Sequence, residues 1–194
     1  MKNWIFFSLL FLCACERKLP LMEATGNGIP DFSFVNQDGQ TVTQATFEDK
    51  IYVADFFFST CPTVCPVIKK HLLVVQEKFK DNTTVMFLSH TVNPRYDSVP
   101  VLKDYAERIG ANTKQWIFVT GNPDKLQFMA TEGYEVGEKF RKKDTVQHRN
   151  MLDHRTDLIL VDKNRHIRGI YEGTDKKEVE KLMQDIEFLL REIN

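Results

Sequence analysis

Two cysteines, Cys61 and Cys65, stand in the stretch Ser59-Thr60-Cys61-Pro62-Thr63-Val64-Cys65-Pro66. Three residues separate them, so a helical turn there puts both on one face. At a helix N-terminus the free N–H groups and the positive end of the dipole favour a thiolate, and thiol pKa values fall there. Two such sulfurs have two chemistries open to them. They close a disulfide if the turn brings their Cβ atoms to about 4 Å. They also clamp a soft metal ion, since thiolates select Cu(I) and zinc. The plain alternative is a pair of small core residues. Pro62 and Pro66 argue against it, because they are expected to break the local helix and hold both sulfurs in a shaped turn.

Two thiolates leave a thiophilic ion short of a donor, and histidine is the usual supplement. The chain has His71, His90, His148, His154 and His166. His71 follows Cys65 by six residues in the same helix and is expected to point elsewhere. His166 follows a turn and reads as solvated. His90 ends a predicted strand near the cysteine turn and is a weaker candidate. His148 and His154 lie in a segment too polar for a core. His154 comes just before a strand whose entry is expected to face the cysteines, which makes it the main candidate; His148 stays open.

The elements that must position these groups follow from periodicity. Phe32, Phe34 and Val42 alternate around Asn36-Gln37-Asp38-Gly39, a hairpin pattern with Asp-Gly at the turn. Residues 51–58 form a nearly continuous apolar run that suits a strand buried on both faces. Ile68, Leu72, Val75 and Phe79 then repeat at helical spacing. Strands are expected at 84–88, 116–119, 157–162 and 167–171. Helices are expected at 99–109, capped by Ser98 with Pro100 in its first turn, and at 123–131. A closing helix starts at Thr174 or Asp175, with Asp175 and Glu178 as a capping box. Alternating strands and helices imply an α/β sheet covered on both faces, and the cysteine turn lies at a strand's carboxyl end, where such sheets place chemistry.

Of 194 residues, 42% are hydrophobic and 27% charged, which suits a single packed domain. The net charge of −1 lacks the basic excess of a nucleic-acid-binding protein. Ile5 to Leu12 is too short an apolar run to span a membrane. It ends in Leu12-Cys13-Ala14-Cys15, which resembles a bacterial lipobox; cleavage after Ala14 would leave Cys15 as the lipidated first residue. Residues 1–14 then form a signal peptide, 15–29 a lipidated N-terminus and flexible tether, and 30–194 the domain. Loss of Lys2 with the signal takes the charge to −2. An ordinary secretory signal is the alternative, and either one exports the chain to where disulfides form.

The run Phe57-Phe58-Ser59-Thr60-Cys61-Pro62-Thr63-Val64-Cys65-Pro66 resembles the signature of the SCO/SenC family of the thioredoxin superfamily. Asn93-Pro94-Arg95-Tyr96-Asp97, Trp116 to Gly121, Asp153-His154 before Leu158 to Asp162, and Arg168-Gly169 with Tyr171 are similar to further family segments. The resemblance spans about residues 30–193. It implies a thioredoxin-like α/β fold, a central mixed sheet flanked by helices with an N-terminal β-hairpin extension. It also implies a membrane-tethered domain on the periplasmic side that binds copper, Cu(I) and also Cu(II), through Cys61, Cys65 and His154. His148, His90 and Asp153 remain as outer or weaker candidates. The implied role is to load the dinuclear copper site of cytochrome c oxidase or to keep its cysteines reduced. Many members anchor by a transmembrane helix, where this chain has a lipobox. The acidic residue usual before the Pro of the Asp-Pro segment is Asn93 here.

A thiol-disulfide oxidoreductase is the main alternative. Thioredoxin-like reductases usually carry two residues between the cysteines and a cis-proline opposite them. This chain has three residues between them and no proline after Pro123. Its Asp153-His154-Arg155-Thr156 segment is expected in the proline's place, which favours metal binding. A peroxiredoxin fits less well, because Pro62 and Thr63 stand too close to Cys65.

Overall fold

The apolar run at Ile51–Phe57 forms the central strand β3, and every residue of it is buried. A strand covered on both faces has no solvent side to reward polar alternation. The computed structural model describes residues 18–22, 28–134 and 156–193. Around β3 stand β1 (Ser33–Asn36), β2 (Thr41–Thr43), α1 (Val64–Lys78), β4 (Val85–Thr91), α2 (Val99–Ile109) and β5 (Trp116–Thr120). They are followed by α3 (Pro123–Phe128), β6 (Asp157–Val161), β7 (Ile167–Glu172) and α4 (Lys176–Ile193). A 3-10 turn at Gln44–Phe47 joins β2 to β3, and a π turn at Met129–Gly133 continues α3.

The strands form one mixed sheet in the order β2-β1-β5-β4-β3-β6-β7. β3, β4 and β5 run parallel; β1 and β6 join them antiparallel, and β7 is antiparallel to β6. This is the expected thioredoxin-like α/β architecture with its hairpin extension. Asn36 fixes the hairpin turn: its Oδ1 accepts from the N–H groups of Asp38 at 3.0 Å and Gln40 at 2.9 Å.

Alternation along β3 divides the core. Ile51, Val53 and Phe57 face α1, α2 and α4, which contribute Ile68, Leu72, Leu102, Tyr105, Leu182 and Ile186. Tyr52, Ala54 and Phe56 face Phe32, Phe34, Phe47, Leu126 and Tyr134. The two faces are thus built differently, by helices on one side and by the hairpin, 3-10 turn and α3 on the other.

Several expectations need correction. β4 runs on through Ser89, His90 and Thr91, all buried, where the apolar pattern predicts its end at Leu88. Pro66 does not break α1; it sits in the first turn, where a missing N–H costs nothing. Ser98 stands at the start of α2, but its side chain makes no cap bond. The start of α4 is as expected: Asp175 caps it, its carboxylate accepting from the Lys177 N–H at 2.8 Å, and the helix runs from Lys176.

The described residues before Pro30 make contacts with the domain. Leu19 is buried in the helical-face core. Arg168 Nη2 donates to the Leu19 carbonyl at 3.0 Å, and Met22 N–H to the Ile167 carbonyl at 2.9 Å. These residues cover the start of β7, the strand at that edge of the sheet. Ile29 N–H bonds the Arg165 carbonyl at 2.8 Å, with Gly28 beside it at φ +68°. A Cβ on Gly28 would come within 2.8 Å of that carbonyl oxygen, so only glycine fits. Leu19 and Met22, which precede residue 30, thus pack against the domain. Residues 1–17, with Cys13 and the lipidation candidate Cys15, lie outside the described residues, as do 23–27. Among the described residues no helix is long and apolar enough to cross a membrane.

Candidate metal centre

β3 delivers the chain to the cysteine turn at its carboxyl end. Cys61 N–H closes the turn on the Phe58 carbonyl at 3.1 Å. α1 begins at Val64, and the Thr63 side chain offers no cap to its first N–H groups. The Cys61 sulfur takes that place, accepting from Cys65 N–H at 3.5 Å. Both cysteines are free thiols; Cys61 is half-buried and Cys65 buried.

Their environments push the two sulfurs apart. Partial burial works against the Cys61 thiolate, but the Cys65 thiol and the N–H groups of Thr63, Cys65 and Val64 outweigh it and lower its pKa. Burial, reinforced by the bond to Cys61, pushes the Cys65 thiol up to about 12. Cys61 is the nucleophilic, accessible sulfur and Cys65 the protonated, shielded one.

Asp97 holds the turn from the side. Its buried carboxylate accepts from the Ser59 N–H at 3.2 Å and from the hydroxyls of Ser59 and Thr91. The loop after β4 is thereby tied to a residue two positions before Cys61. Asn93 serves this loop through its backbone, its carbonyl accepting from Asp97 N–H at 2.9 Å.

Beneath the turn lies a buried polar group that the sequence pattern does not reveal. Lys69 is 2% exposed. Its Nζ meets Asp55 Oδ2 at 2.6 Å and Ser89 Oγ at 2.8 Å, and lies 4.3 Å from the centre of the Phe57 ring. Ser89 also donates to Asp55 and accepts from Trp116 Nε1 at 2.8 Å. Burial lowers the Lys69 pKa, and Asp55 opposes that.

The histidines separate clearly. His71 Nδ1 lies 2.8 Å from the Gly173 carbonyl, which engages it there. His90 is on the other face of the sheet from α1, boxed by Phe32, Phe34, Phe56 and Tyr134. It does not join Cys61 and Cys65, because each step along a strand reverses the side-chain direction and His90 follows the inward-facing Ser89. Asp153, His154 and His148 lie outside the described residues. The strand they lead into pairs with β3 in the register Ala54↔Ile159, so β6 enters beside the end of β3 that feeds the cysteine turn. Among the described residues no three His, Cys, Asp or Glu side chains converge as a metal site.

The SCO1/SenC family model matches residues 22–191. The chain belongs to the SCO1/SenC family. A SCO1 protein homolog from Bacillus subtilis (strain 168) is 26% identical over 179 residues, covering 91% of this chain and 90% of the relative. Among solved structures, a SCO1/SenC family lipoprotein from Bacillus anthracis str. Ames superposes with a TM-score of 0.72 at 24% identity, covering 88% of this chain and 99% of that one. BsSco, a member of the Sco family of cytochrome c oxidase assembly proteins in which a disulfide switch is described, gives 0.69 at 25% identity over 84% and 93%. Copper-bound yeast Sco1 gives 0.62 at 22% identity over 83% and 93%.

Within this SCO1/SenC domain the cysteine turn was legible from residue types and spacing. Lys69 was not. It adjoins Lys70 in a helix, where lysine normally reads as solvent-facing; the only hint is its place on the same stripe as Cys65 and Leu72. Asp55 interrupts an otherwise apolar strand, and a lone acid there marks a buried partner.

Proposed function

We propose that this chain is an exported, lipid-anchored copper chaperone for cytochrome c oxidase assembly, with copper as its cargo. The observation that carries the reading is the meeting of Cys61 and Cys65 at a helix start that the Cys61 sulfur caps, in a SCO1/SenC domain. Copper-bound yeast Sco1 and the assembly role described for BsSco support the cargo and the pathway. The B. anthracis lipoprotein supports an anchor at Cys15 and a location on the outer side of a bacterial membrane.

The proposed ligands are Cys61, Cys65 and His154. Two thiolates and one imidazole make a three-coordinate site suited to Cu(I), and Cu(II) binds with a further donor. Cys61 is poised to take the ion first, since its sulfur is accessible and its thiolate favoured. Cys65 gives up its proton as it joins. Oxidation of the pair removes both sulfur donors, so loading and redox state are linked.

The same asymmetry favours a second reading, reduction of a specific partner's disulfide. There Cys61 attacks and Cys65 resolves.

Anaerobic Cu(I) titration of reduced residues 16–194 against a competing chelator tests the first reading. One copper per chain is expected, weakened at least tenfold by Cys61→Ser, Cys65→Ser and His154→Ala. Weak binding indifferent to His154 would sink it and leave the reductase reading.

A further inference from the structure

Asp97 is a buried carboxylate that neither reading uses. Such a group is costly to bury unless hydrogen bonds satisfy it. Here the donors are neutral and come from two parts of the chain. Thr91, the last residue of β4, donates its hydroxyl, and Ser59 donates both its hydroxyl and its N–H, the latter at 3.2 Å. Asp97 is itself held in place: its own N–H bonds the Asn93 carbonyl at 2.9 Å, and α2 starts two residues later.

Ser59 is where this grip reaches the sulfurs. The 3.1 Å bond from Cys61 N–H to the Phe58 carbonyl closes a β-turn whose two central residues are Ser59 and Thr60. That turn sets how the chain leaves β3, and so where the Cys61 sulfur stands to accept from Cys65 N–H. Thr60, Pro62 and Thr63 are exposed. Among the described residues, no hydrogen bond except those to Asp97 ties residues 59–63 to the sheet or to α2.

We propose that Asp97 is a positioning residue for the sulfur pair: by gripping Ser59 from a fixed point it keeps Cys61 within reach of Cys65, so that both sulfurs can hold one atom. Two thiols act as a chelate only while their separation is kept, and the gain over two separate thiols is an effective concentration. Fixing the backbone of one residue in a single well is worth about a factor of ten in such an equilibrium. The inference rests on the reading of Cys61 and Cys65 as a working pair. Its test uses no copper, so its failure is distinct from failure of the copper titration.

The test is capture of phenylarsine oxide in competition with 2,3-dimercaptopropanol, a small dithiol that no variant alters. The arsenic forms one bond to each sulfur, and its oxygen leaves as water with the two thiol protons; nothing is oxidised or reduced. The full chain is used in a Cys13→Ser, Cys15→Ser background, so that only this pair reacts. Near-ultraviolet circular dichroism checks that each variant is folded. Asp97→Ala is expected to weaken capture at least tenfold. Ser59→Ala and Thr91→Val form a matched pair: each takes one hydroxyl from the same carboxylate and changes no charge, but only Ser59 lies in the turn. Ser59→Ala is expected to weaken capture at least threefold and Thr91→Val less than twofold, although both lower the melting temperature. A structural role alone would change melting without moving capture by the folded protein. Capture within twofold of the parent in folded Asp97→Ala, or equal capture by the matched pair, would overturn the proposal. Should Asp97→Ala not fold, the matched pair decides.

Discussion

At the residue scale the centre depends on inequality between two identical side chains. Cys61 is reached by solvent and by three backbone N–H groups, whereas Cys65 is covered and donates its own proton to Cys61. Iodoacetamide should therefore label Cys61 first, with a rate profile centred below the ordinary thiol range, and leave Cys65 untouched. Cys65→Ala removes the thiol that helps hold the Cys61 thiolate and should move the Cys61 profile to higher pH. Mass spectrometry after timed quenching reads both effects. Labelling of Cys65 first, or a Cys61 profile unmoved in the variant, would contradict the assignment. Sequence alone revealed the pair but not its asymmetry, since the asymmetry comes from where α1 begins relative to each sulfur.

At the element scale β4 shows why strand ends were harder to read than strand centres. Its last three residues are polar by type, so hydrophobic pattern ends the strand early. Each is buried for its own reason: Ser89 joins Lys69, His90 fills an aromatic box, and Thr91 bonds Asp97. α2, by contrast, matched its expected range because nothing tertiary competes with its periodicity. His90 has a measurable consequence. The Asp55 backbone lies close, but neither ring nitrogen has a hydrogen-bond partner among the described residues. Burial drives its pKa down to about 3. The unfolded chain takes up a proton at His90 below about pH 6.5, while the native one does not until near pH 3. The unfolded state binds more protons in that window, so stability falls as pH falls. Between pH 7 and pH 5 this group alone should cost about 2 kcal/mol. Denaturant melts of wild type and His90→Phe at those two pH values should differ by that amount in their pH dependence. Equal dependence in both proteins would place the acid sensitivity elsewhere.

At the scale of the whole molecule, two features sit at opposite ends of the sheet. The cysteine turn leaves β3 past Phe57. The N-terminal stretch docks at the opposite end, since Val161 pairs with both Tyr52 and Ile167, and Ile167 and Arg168 hold Met22 and Leu19. The polar, glycine-bearing sequence around residues 23–28 hid this docking, because a few apolar anchors such as Leu19 and Met22 carry no period of their own. Only three peptide steps separate Cys15 from Lys18, at most about 10 Å of extended chain. A lipid on Cys15 would thus hold the β7 end near the bilayer and present the cysteines away from it. Docking strong enough to fix that orientation must also stabilise the fold. Burying Leu19 should contribute about 2 kcal/mol. A chain starting at residue 30 should then melt roughly 4–8 °C below one starting at residue 18. Calorimetry of the two copper-free proteins decides it. Equal melting temperatures would mean that the stretch rests on the surface without holding it, and that an anchored domain turns freely above the membrane.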